Sequence, residues 1–246
     1  SRGRIVTEMS CMVHSDADVG LITAASAQWH DLEWLQRHMP ADAGFELTDV
    51  TKDFSCQILT GPKSRDILAK LTVADLRLGS LTHQSATLGD TWVQLLRVSF
   101  AGELGWEVHS MVQDTPAVYD ALLDAGQDFG LKPFGMYALN SLRLEKGYRA
   151  WKGDLSTDYS LLEGGLDRFI KLDKPQDFPG KAAILNEKQQ GVAKRFVTLT
   201  VDAGDCDAPY MSSLWHNGKV VGETTSGGWG YRVNASIALG MLQSDL

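Results

Sequence analysis

Strand-like segments follow one another directly along this chain, and this order limits the folds that it can adopt. Alternating segments at residues 83–88 and 92–99 lead through short turns into a third, GELGWEVHSM, at residues 102–111. Helical patterns precede and follow this group at residues 62–71 and 115–126. Parallel strands need a long crossover connection, whereas strands joined by short turns pair antiparallel. The sequence therefore predicts an α+β fold with antiparallel sheets.

The same patterns divide the chain into three segments. Residues 1–50 predict an α+β unit, incomplete at its N-terminus, in which two strands and a helix are closed by a short strand at residues 45–50. Residues 51–172 predict a second, larger α+β unit with a central helix. Residues 173–246 are mostly strand-like, with an Asn-Gly hairpin turn at residues 217–218, and predict a β domain that is incomplete at its C-terminus. We expect the sequence to be a piece of a larger protein.

Composition and charge exclude several classes of function. The 246 residues carry a net charge of −8, which argues against a general nucleic-acid or anionic-membrane surface because such binding needs a dominant positive field. No run of about 18 apolar residues and no signal-peptide pattern is present, so we expect a cytoplasmic protein, or one of the mitochondrial matrix if the source is eukaryotic. The three cysteines are far apart and predict neither a disulfide framework nor a metal site, and they are expected to be buried or idle.

The segment GELGWEVH places acidic side chains where a binding site could form. Strand alternation predicts Trp106 and Val108 on one face and Glu103, Glu107 and His109 on the other. Along such a strand, Glu103 and Glu107 would be about 13 Å apart. That distance is too long for a shared-proton dyad, so the two carboxylates would act as separate acceptors, and a flat ligand could lie over the intervening glycine. Two solvent-facing acids on an amphipathic strand explain the pattern equally well.

A second charged feature lies in the stretch PFGMYALNSLRLEKGYRAW, residues 133–151, which predicts a helix covered on most sides. No acidic residue stands three or four positions from Arg143 on this helix. A buried arginine needs a partner, so either another segment or an anionic ligand must supply the acceptor. The neighbouring cations would hold an anionic tail, or equally would form a solvated helix end: Lys132, Lys146, Arg149 and Lys152.

The remaining motifs are weaker indicators of a functional site. Glu8 is expected in the middle of a strand at residues 4–14, where an acid is unusual, although an edge-strand acid that deters aggregation explains it better. The chain has no G-x-S-x-G motif, no G-x-G-x-x-G motif and no spacing typical of metal ligands. The segment GGWG at residues 227–230 is expected at a hairpin or loop tip.

Several ordered segments together resemble a known family. QILTGPKSRDIL, SFAGELGWEVH, LRLEKGYRAW and GKVVGETTSGGWGY…SIALGM are similar to the folate-binding aminomethyltransferases, the T-protein of the glycine cleavage system and its relatives. Within that family they are most like the C-terminal module of dimethylglycine and sarcosine dehydrogenases. The resemblance implies ferredoxin-like α+β units and a C-terminal β-barrel-like domain, arranged as a ring with tetrahydrofolate in the central opening.

The resemblance also implies roles for individual residues. Glu107 would hold the amino group and ring N–H of the pterin, and Arg143 would face the polar or carboxylate end of the folate. Glu103, Tyr148 and Trp151 would complete the folate-binding set. Glu8 would be the catalytic acid, at a position where the T-proteins carry an aspartate.

The function implied is tetrahydrofolate-dependent one-carbon transfer, which forms methylenetetrahydrofolate from an iminium or formaldehyde derived from an N-methyl amine. FAD is not expected to bind this segment, and a flavin domain would lie upstream or on another chain. Two alternatives remain open: a non-catalytic regulatory or interaction subunit of the same fold, and a folate-dependent demethylase.

Overall fold

A computed structural model describes residues 2–42 and 44–246. The helices and strands of this part of the chain have the following bounds: β1 Met9–Ser15, β2 Asp18–Thr23, α1 Gln28–His38, β3 Phe54–Thr60, α2 Ser64–Ala69, β4 His83–Leu88, β5 Thr91–Leu96, β6 Gly105–Met111, α3 Thr115–Gly126, α4 Met136–Glu145, α5 Lys181–Gln190, β7 Lys194–Val201, β8 Ser213–His216, β9 Lys219–Gly230 and β10 Ala235–Gln243. All paired strands are antiparallel, so the α+β class predicted from the order of segments is confirmed. None of the described helices is long and apolar enough to cross a membrane.

The chain forms two compact units. The first consists of the segment up to Asp31 together with Arg143–Leu246, and the second is Leu32–Leu142. The three-segment division at residues 50 and 172 and the ring arrangement stay predictions.

The second unit is built on a four-stranded sheet in the order β3-β6-β5-β4. One face of this sheet packs against α2 and α3 through buried aliphatic side chains and the indole of Trp106. This cluster contains the following residues: Leu59, Ile67, Leu68, Leu76, Leu88, Val93, Leu95, Trp106, Val108, Val118, Leu122 and Ala125. Strand alternation places Cys56, Ile58, Glu107 and His109 on the opposite face of the sheet.

The first unit contains the β1-β2 hairpin and a second four-stranded sheet, in the order β7-β10-β9-β8. Leu144 packs against Ile237 and Leu239 of β10 in a small buried cluster. Asn217 and Gly218 join β8 to β9 with φ angles of 48° and 73°, which confirms the predicted hairpin turn. The GGWG segment lies inside β9 and not at a loop tip, so that expectation is wrong. An added Cβ at Gly227 would lie 1.8 Å from the carbonyl oxygen of Ala208, so this glycine permits close packing.

Of two elements predicted from periodicity, one strand does not form and one helix is shorter than predicted. Residues 46–50 form no strand, although their alternation predicted one. The helix predicted to extend to Trp151 ends at Glu145, because Gly147 adopts a φ of 66°. The N–H groups of Gly147 and Tyr148 then close the last turn on the carbonyls of Leu144 and Arg143, which is the Schellman arrangement.

The α4 helix is also less covered than its apolar sequence predicted. Met136 and Tyr137 are 77% and 95% exposed. Burial in this helix is limited to Leu139, Arg143 and Leu144, whose spacing places them along one side.

Candidate functional site

Glu107 lies in β6 on the face of the sheet opposite the core. Its neighbours Trp106 and Val108 are fully buried, whereas the side chains of Glu107 and His109 are 27% and 14% exposed to solvent. This alternation confirms the predicted faces of residues 105–109. The Glu107 carboxylate is therefore fixed on a regular strand and remains open to a ligand.

A histidine engages one oxygen of that carboxylate. His109 Nε2 lies 3.1 Å from Glu107 Oε2, a distance at which the ring N–H donates to the carboxylate. Glu107 Oε1 has no hydrogen-bond partner among the described residues. Sequence reasoning gave His109 no function, but its position two residues along the same strand places it on the same face.

Cys56 of β3 completes this group. The antiparallel register sets Cys56 directly opposite His109, and the ligand-type atoms of Cys56, Glu107 and His109 all lie within 4.8 Å of one another. Protein atoms around the sulfur, and next the negative charge of Glu107, raise the pKa of the Cys56 thiol to about 12. The spacing of these three residues along the chain gave no sign of a metal site, and only the pairing of β3 with β6 brings them together. The three cysteines are also exposed, not buried.

Glu103 is not on the strand. It lies in a bend before Gly105, where β6 begins, so Glu103 and Glu107 do not project from one strand face as the sequence predicted. The space over Gly105 is also occupied, because an added Cβ there would lie 2.8 Å from Ser99 Cβ and 3.1 Å from Thr60 Oγ1. The interpretation of Gly105 as a platform for a flat ligand is therefore wrong: the glycine accommodates neighbouring side chains.

Glu8 immediately precedes β1 and is not in the middle of a strand, because β1 begins at Met9. Its side chain keeps exposed surface. Nearby protein atoms remove water from around the carboxyl, and the charge of Asp31 adds to this effect, so the pKa of Glu8 is raised above its usual value. Such a carboxylate accepts a proton more readily than an ordinary glutamate does.

Asp31, in the first turn of α1, is almost completely buried. It accepts hydrogen bonds from Thr23 Oγ1 of β2 and from His30 Nδ1, the latter at 2.8 Å. Burial alone would raise the pKa of Asp31, but these hydrogen bonds and the nearby histidine outweigh it and lower the pKa. A charged Asp31 therefore lies close enough to Glu8 to influence its protonation.

Arg143 finds its acceptor within the protein. Arg143 is 4% exposed, and its Nη1 lies 2.5 Å from Asp154 Oδ2 and 3.0 Å from the carbonyl oxygen of Tyr148. Nη2 donates to Ser226 Oγ at 2.8 Å. Of the two partners that the sequence left open, another segment is the one observed. The guanidinium of Arg143 is buried in an ion pair with Asp154, and the role implied for Arg143 at the folate carboxylate stays a prediction.

A β-bulge completes the surroundings of this ion pair. The register between β9 and β10 shifts between Leu239 and Gly240, which leaves Thr225 as the extra residue. Thr225 Oγ1 donates to Asp154 Oδ1 at 2.5 Å, while the next residue, Ser226, accepts from Arg143. Consecutive residues of a regular strand face opposite sides, so the bulge allows both hydroxyls to reach the same pair.

Tyr148 and Trp151 follow the end of α4 and are both partly buried. Trp151 makes an isolated bridge with Leu155, and its buried Nε1 has no hydrogen-bond partner among the described residues. Glu8, Arg143, Tyr148 and Trp151 belong to the first unit, and Glu103 and Glu107 to the second. Asp154, which sequence reasoning missed, stands in a turn with no periodic or spacing signal.

Comparisons with known proteins identify the family. Residues 1–174 match the GCVT N-terminal domain, and residues 194–246 match the Glycine cleavage T-protein C-terminal barrel domain. The chain belongs to the glycine cleavage T-protein family. The predicted family membership and the barrel-like C-terminal domain are thereby confirmed.

Individual relatives of this family agree with the assignment. Human mitochondrial dimethylglycine dehydrogenase is 38% identical over 249 residues, which cover 100% of this chain and 29% of the relative. The mouse mitochondrial pyruvate dehydrogenase phosphatase regulatory subunit is 31% identical over 232 residues, covering 91% of this chain and 26% of the relative. The chain thus spans less than a third of the length of these relatives.

A solved structure of the family has the same fold. The glycine cleavage system aminomethyltransferase T from Bartonella henselae superimposes with a TM-score of 0.85 at 22% identity, covering 99% of this chain and 66% of that one.

Proposed function

We propose that this chain is a tetrahydrofolate-dependent one-carbon transfer module of the dimethylglycine and sarcosine dehydrogenase type. The observation that carries the proposal is the carboxylate of Glu107, which a regular strand holds on the open face of its sheet with Oε1 available to a ligand. Membership of the T-protein family supports folate as that ligand.

The chemistry of Glu107 suits the edge of a pterin ring. The amino group and the adjacent ring N–H of a pterin are two donors side by side, and a carboxylate accepts two such hydrogen bonds. Charge-assisted bonds of this kind are shorter and stronger than neutral ones. His109 donates to Oε2 and so orients the carboxylate, while Oε1 and the second lone pair of Oε2 can each accept one pterin N–H.

Glu8 is the residue proposed to accept a proton during transfer. Tetrahydrofolate, when bound, supplies the nitrogens that take up the one-carbon unit, and each nitrogen loses a proton as its new bond forms. A carboxylate whose pKa is raised above its usual value accepts that proton more effectively. Loss of water around the Glu8 carboxyl is the main cause of the raised pKa, and the negative charge of Asp31 adds to it.

Arg143 takes an indirect part in the proposed module. Its ion pair with Asp154 joins the end of α4 to β9, and the segment between them contains Tyr148 and Trp151. We propose that these two side chains contribute to the folate site and that Arg143 positions them. The exposed residues Lys146 and Lys152 remain candidates for the anionic end of the folate.

The methyl donor proposed is a small N-methyl amine, oxidised to an iminium or to formaldehyde before transfer. That oxidation needs a flavin domain, which we place upstream in a longer chain or on a partner. The relatives named dimethylglycine dehydrogenase extend well beyond the matched segment, and their names say mitochondrial. A mitochondrial matrix location is proposed for a eukaryotic source, and the cytoplasm otherwise.

A non-catalytic regulatory role is the second candidate, because a pyruvate dehydrogenase phosphatase regulatory subunit is among the relatives. Such a role would not require a folate site. Glu8 and Glu107 are both present with the properties described above, which favours the folate-binding module.

Thermal unfolding with and without tetrahydrofolate tests the proposal. A ligand that binds only the folded state raises the unfolding midpoint. Replacing Glu107→Gln removes a charged acceptor worth about 1.5–3 kcal/mol, so affinity should fall about 10- to 100-fold. The matched control is Glu103→Gln, a change of the same chemistry in the bend that precedes the strand.

The expected result is a shift of the midpoint that persists in Glu103→Gln and is strongly reduced in Glu107→Gln. No shift at millimolar tetrahydrofolate, with a normal cooperative transition, would favour the regulatory role. Equal losses in the two variants would contradict the assignment of Glu107.

A further inference from the structure

Three side chains on the open face of the second unit's sheet have the chemistry of metal ligands. Cys56 offers a sulfur, His109 a ring nitrogen and Glu107 a carboxylate oxygen, and these atoms lie within 4.8 Å of one another. We propose that Cys56, Glu107 and His109 form a binding site for a divalent transition-metal ion of the zinc type.

The backbone brings these residues together by strand pairing. Cys56 on β3 stands directly opposite His109 on β6, and Glu107 stands opposite Ile58, two positions further along the same pair of strands. All three side chains therefore project from one face, and directly opposite residues have Cβ atoms only about 5 Å apart. Sites built on strands hold their ligands more precisely than sites built on loops.

The spacing of the ligand atoms is close to what a bound ion requires. Bonds of about 2.0–2.3 Å in a tetrahedral zinc site place neighbouring ligand atoms about 3.3–3.8 Å apart. His109 Nε2 and Glu107 Oε2 are already 3.1 Å apart. The three ligand atoms lie within 4.8 Å of one another, so side-chain rotation must bring them closer to enclose an ion.

The donor set selects the type of metal. A thiolate and an imidazole favour zinc and its neighbours in the transition series, whereas magnesium and calcium prefer oxygen ligands alone. Three protein ligands leave a fourth position for water or another ligand, as in catalytic zinc sites. Cys56 is exposed and the side chains of Glu107 and His109 are partly exposed, so an ion can enter from solvent.

Binding has a defined proton balance. The thiol of Cys56 gives up its proton to solvent as the sulfur bonds to the metal, and no electron is transferred. Since Glu107 is also the proposed folate contact, a bound metal and folate would compete for this carboxylate. That consequence rests on the proposed function, but the site itself does not.

Titration of the whole chain with Co²⁺, in the absence of folate, tests the site. Cobalt bound through a thiolate gives an intense sulfur-to-metal absorption band in the near-ultraviolet and strong visible bands when tetrahedral. One equivalent of Co²⁺ should produce both, and Zn²⁺ should abolish them by displacement. No such band in the folded protein would overturn the proposal.

Variants identify the ligands. Cys56→Ser should remove the sulfur band, whereas the matched change Cys206→Ser, at another exposed free cysteine, should leave it intact. His109→Gln should weaken Co²⁺ binding at least about 10- to 100-fold, since even loss of an indirect partner of a metal ligand has effects of that size. Thermal unfolding without metal checks that each variant is folded.

Each possible result with these variants either supports the proposed metal site or overturns it. A sulfur band that persists in Cys56→Ser would overturn the site, and so would unchanged affinity in His109→Gln. If Cys56→Ser does not fold, the His109→Gln titration still decides. Because no folate is added, these outcomes are independent of the folate-binding proposal.

Discussion

At the scale of single residues, Arg143 shows how a buried charge is accommodated. The guanidinium and the carboxylate of Asp154 are both almost inaccessible to water, and they form further hydrogen bonds with Thr225, Ser226 and the backbone of Tyr148 and Ala150. Removing both charges from such a pair costs little when the replacements pack well, but removing one leaves the other uncompensated. The pair therefore makes the fold depend on Arg143 even without a ligand.

We predict that Arg143→Leu lowers the free energy of unfolding by about 3–5 kcal/mol, because it leaves Asp154 charged and buried without its partner. Urea denaturation followed by circular dichroism measures this change. The double variant Arg143→Leu/Asp154→Leu should recover part of the loss. A double variant as unstable as the sum of the two single changes would show that the charges are not coupled.

At the scale of elements, Asp31 connects α1 with the β1-β2 hairpin. It stands in the first turn of the helix, where a negative charge is favourable, and accepts a hydrogen bond from Thr23 at the end of β2. These interactions stabilise the charged form, which is why the pKa of Asp31 is lowered despite its burial. The hairpin that follows Glu8 is thus attached to the helix through a carboxylate.

The lowered pKa of Asp31 predicts a pH dependence. A carboxyl group with a lower pKa in the folded state stabilises the fold above its unfolded pKa of about 3.9, and this contribution disappears as the pH falls through the folded value. Asp31→Asn should therefore cost about 1–3 kcal/mol at pH 7. It should flatten the loss of stability below about pH 4, since the group that titrates there is gone.

Urea denaturation at several pH values between 7 and 3 measures both effects. The control is Asp18→Asn, at an exposed position of β2, which should change the stability little. The destabilisation caused by Asp31→Asn should be smaller at pH 3 than at pH 7. The same destabilisation at both pH values would contradict the assigned role of this carboxylate.

At the scale of the whole molecule, the two units have separate buried clusters. Leu95 is fully buried in the cluster of the second unit, and Leu239 is fully buried in that of the first. Cooperative units within one chain often open with different free energies. A cavity made in one cluster should therefore affect mainly the strands that surround it.

We predict that Leu95→Ala lowers the stability of the second unit by about 2–5 kcal/mol. Amide hydrogen exchange should accelerate in β3 to β6 more than in β7 to β10. The matched substitution Leu239→Ala should give the reverse pattern. Equal acceleration in both sheets, from either variant, would show that the two units unfold as one.

Features set by a few neighbouring residues could be predicted from the sequence. The alternation around Glu107, the bounds of α3 and the Asn217-Gly218 turn all depend on local periodicity or backbone preference, and the structure has them as predicted. The sequence also contains a signal for the early end of α4, since glycine, here Gly147, is a typical helix-ending residue. It was missed because the apolar pattern continues past it.

Contacts between distant segments needed the tertiary structure. Arg143 meets Asp154 and Ser226, which are 11 and 83 positions away, and Cys56 meets His109 through the register of two strands. The sequence determined that this chain forms antiparallel α+β units with an acid on the open face of β6. Only the tertiary structure decided that Arg143 pairs internally and that Glu107 stands beside a thiol and an imidazole, because strand register and a β-bulge are set by packing across the whole chain.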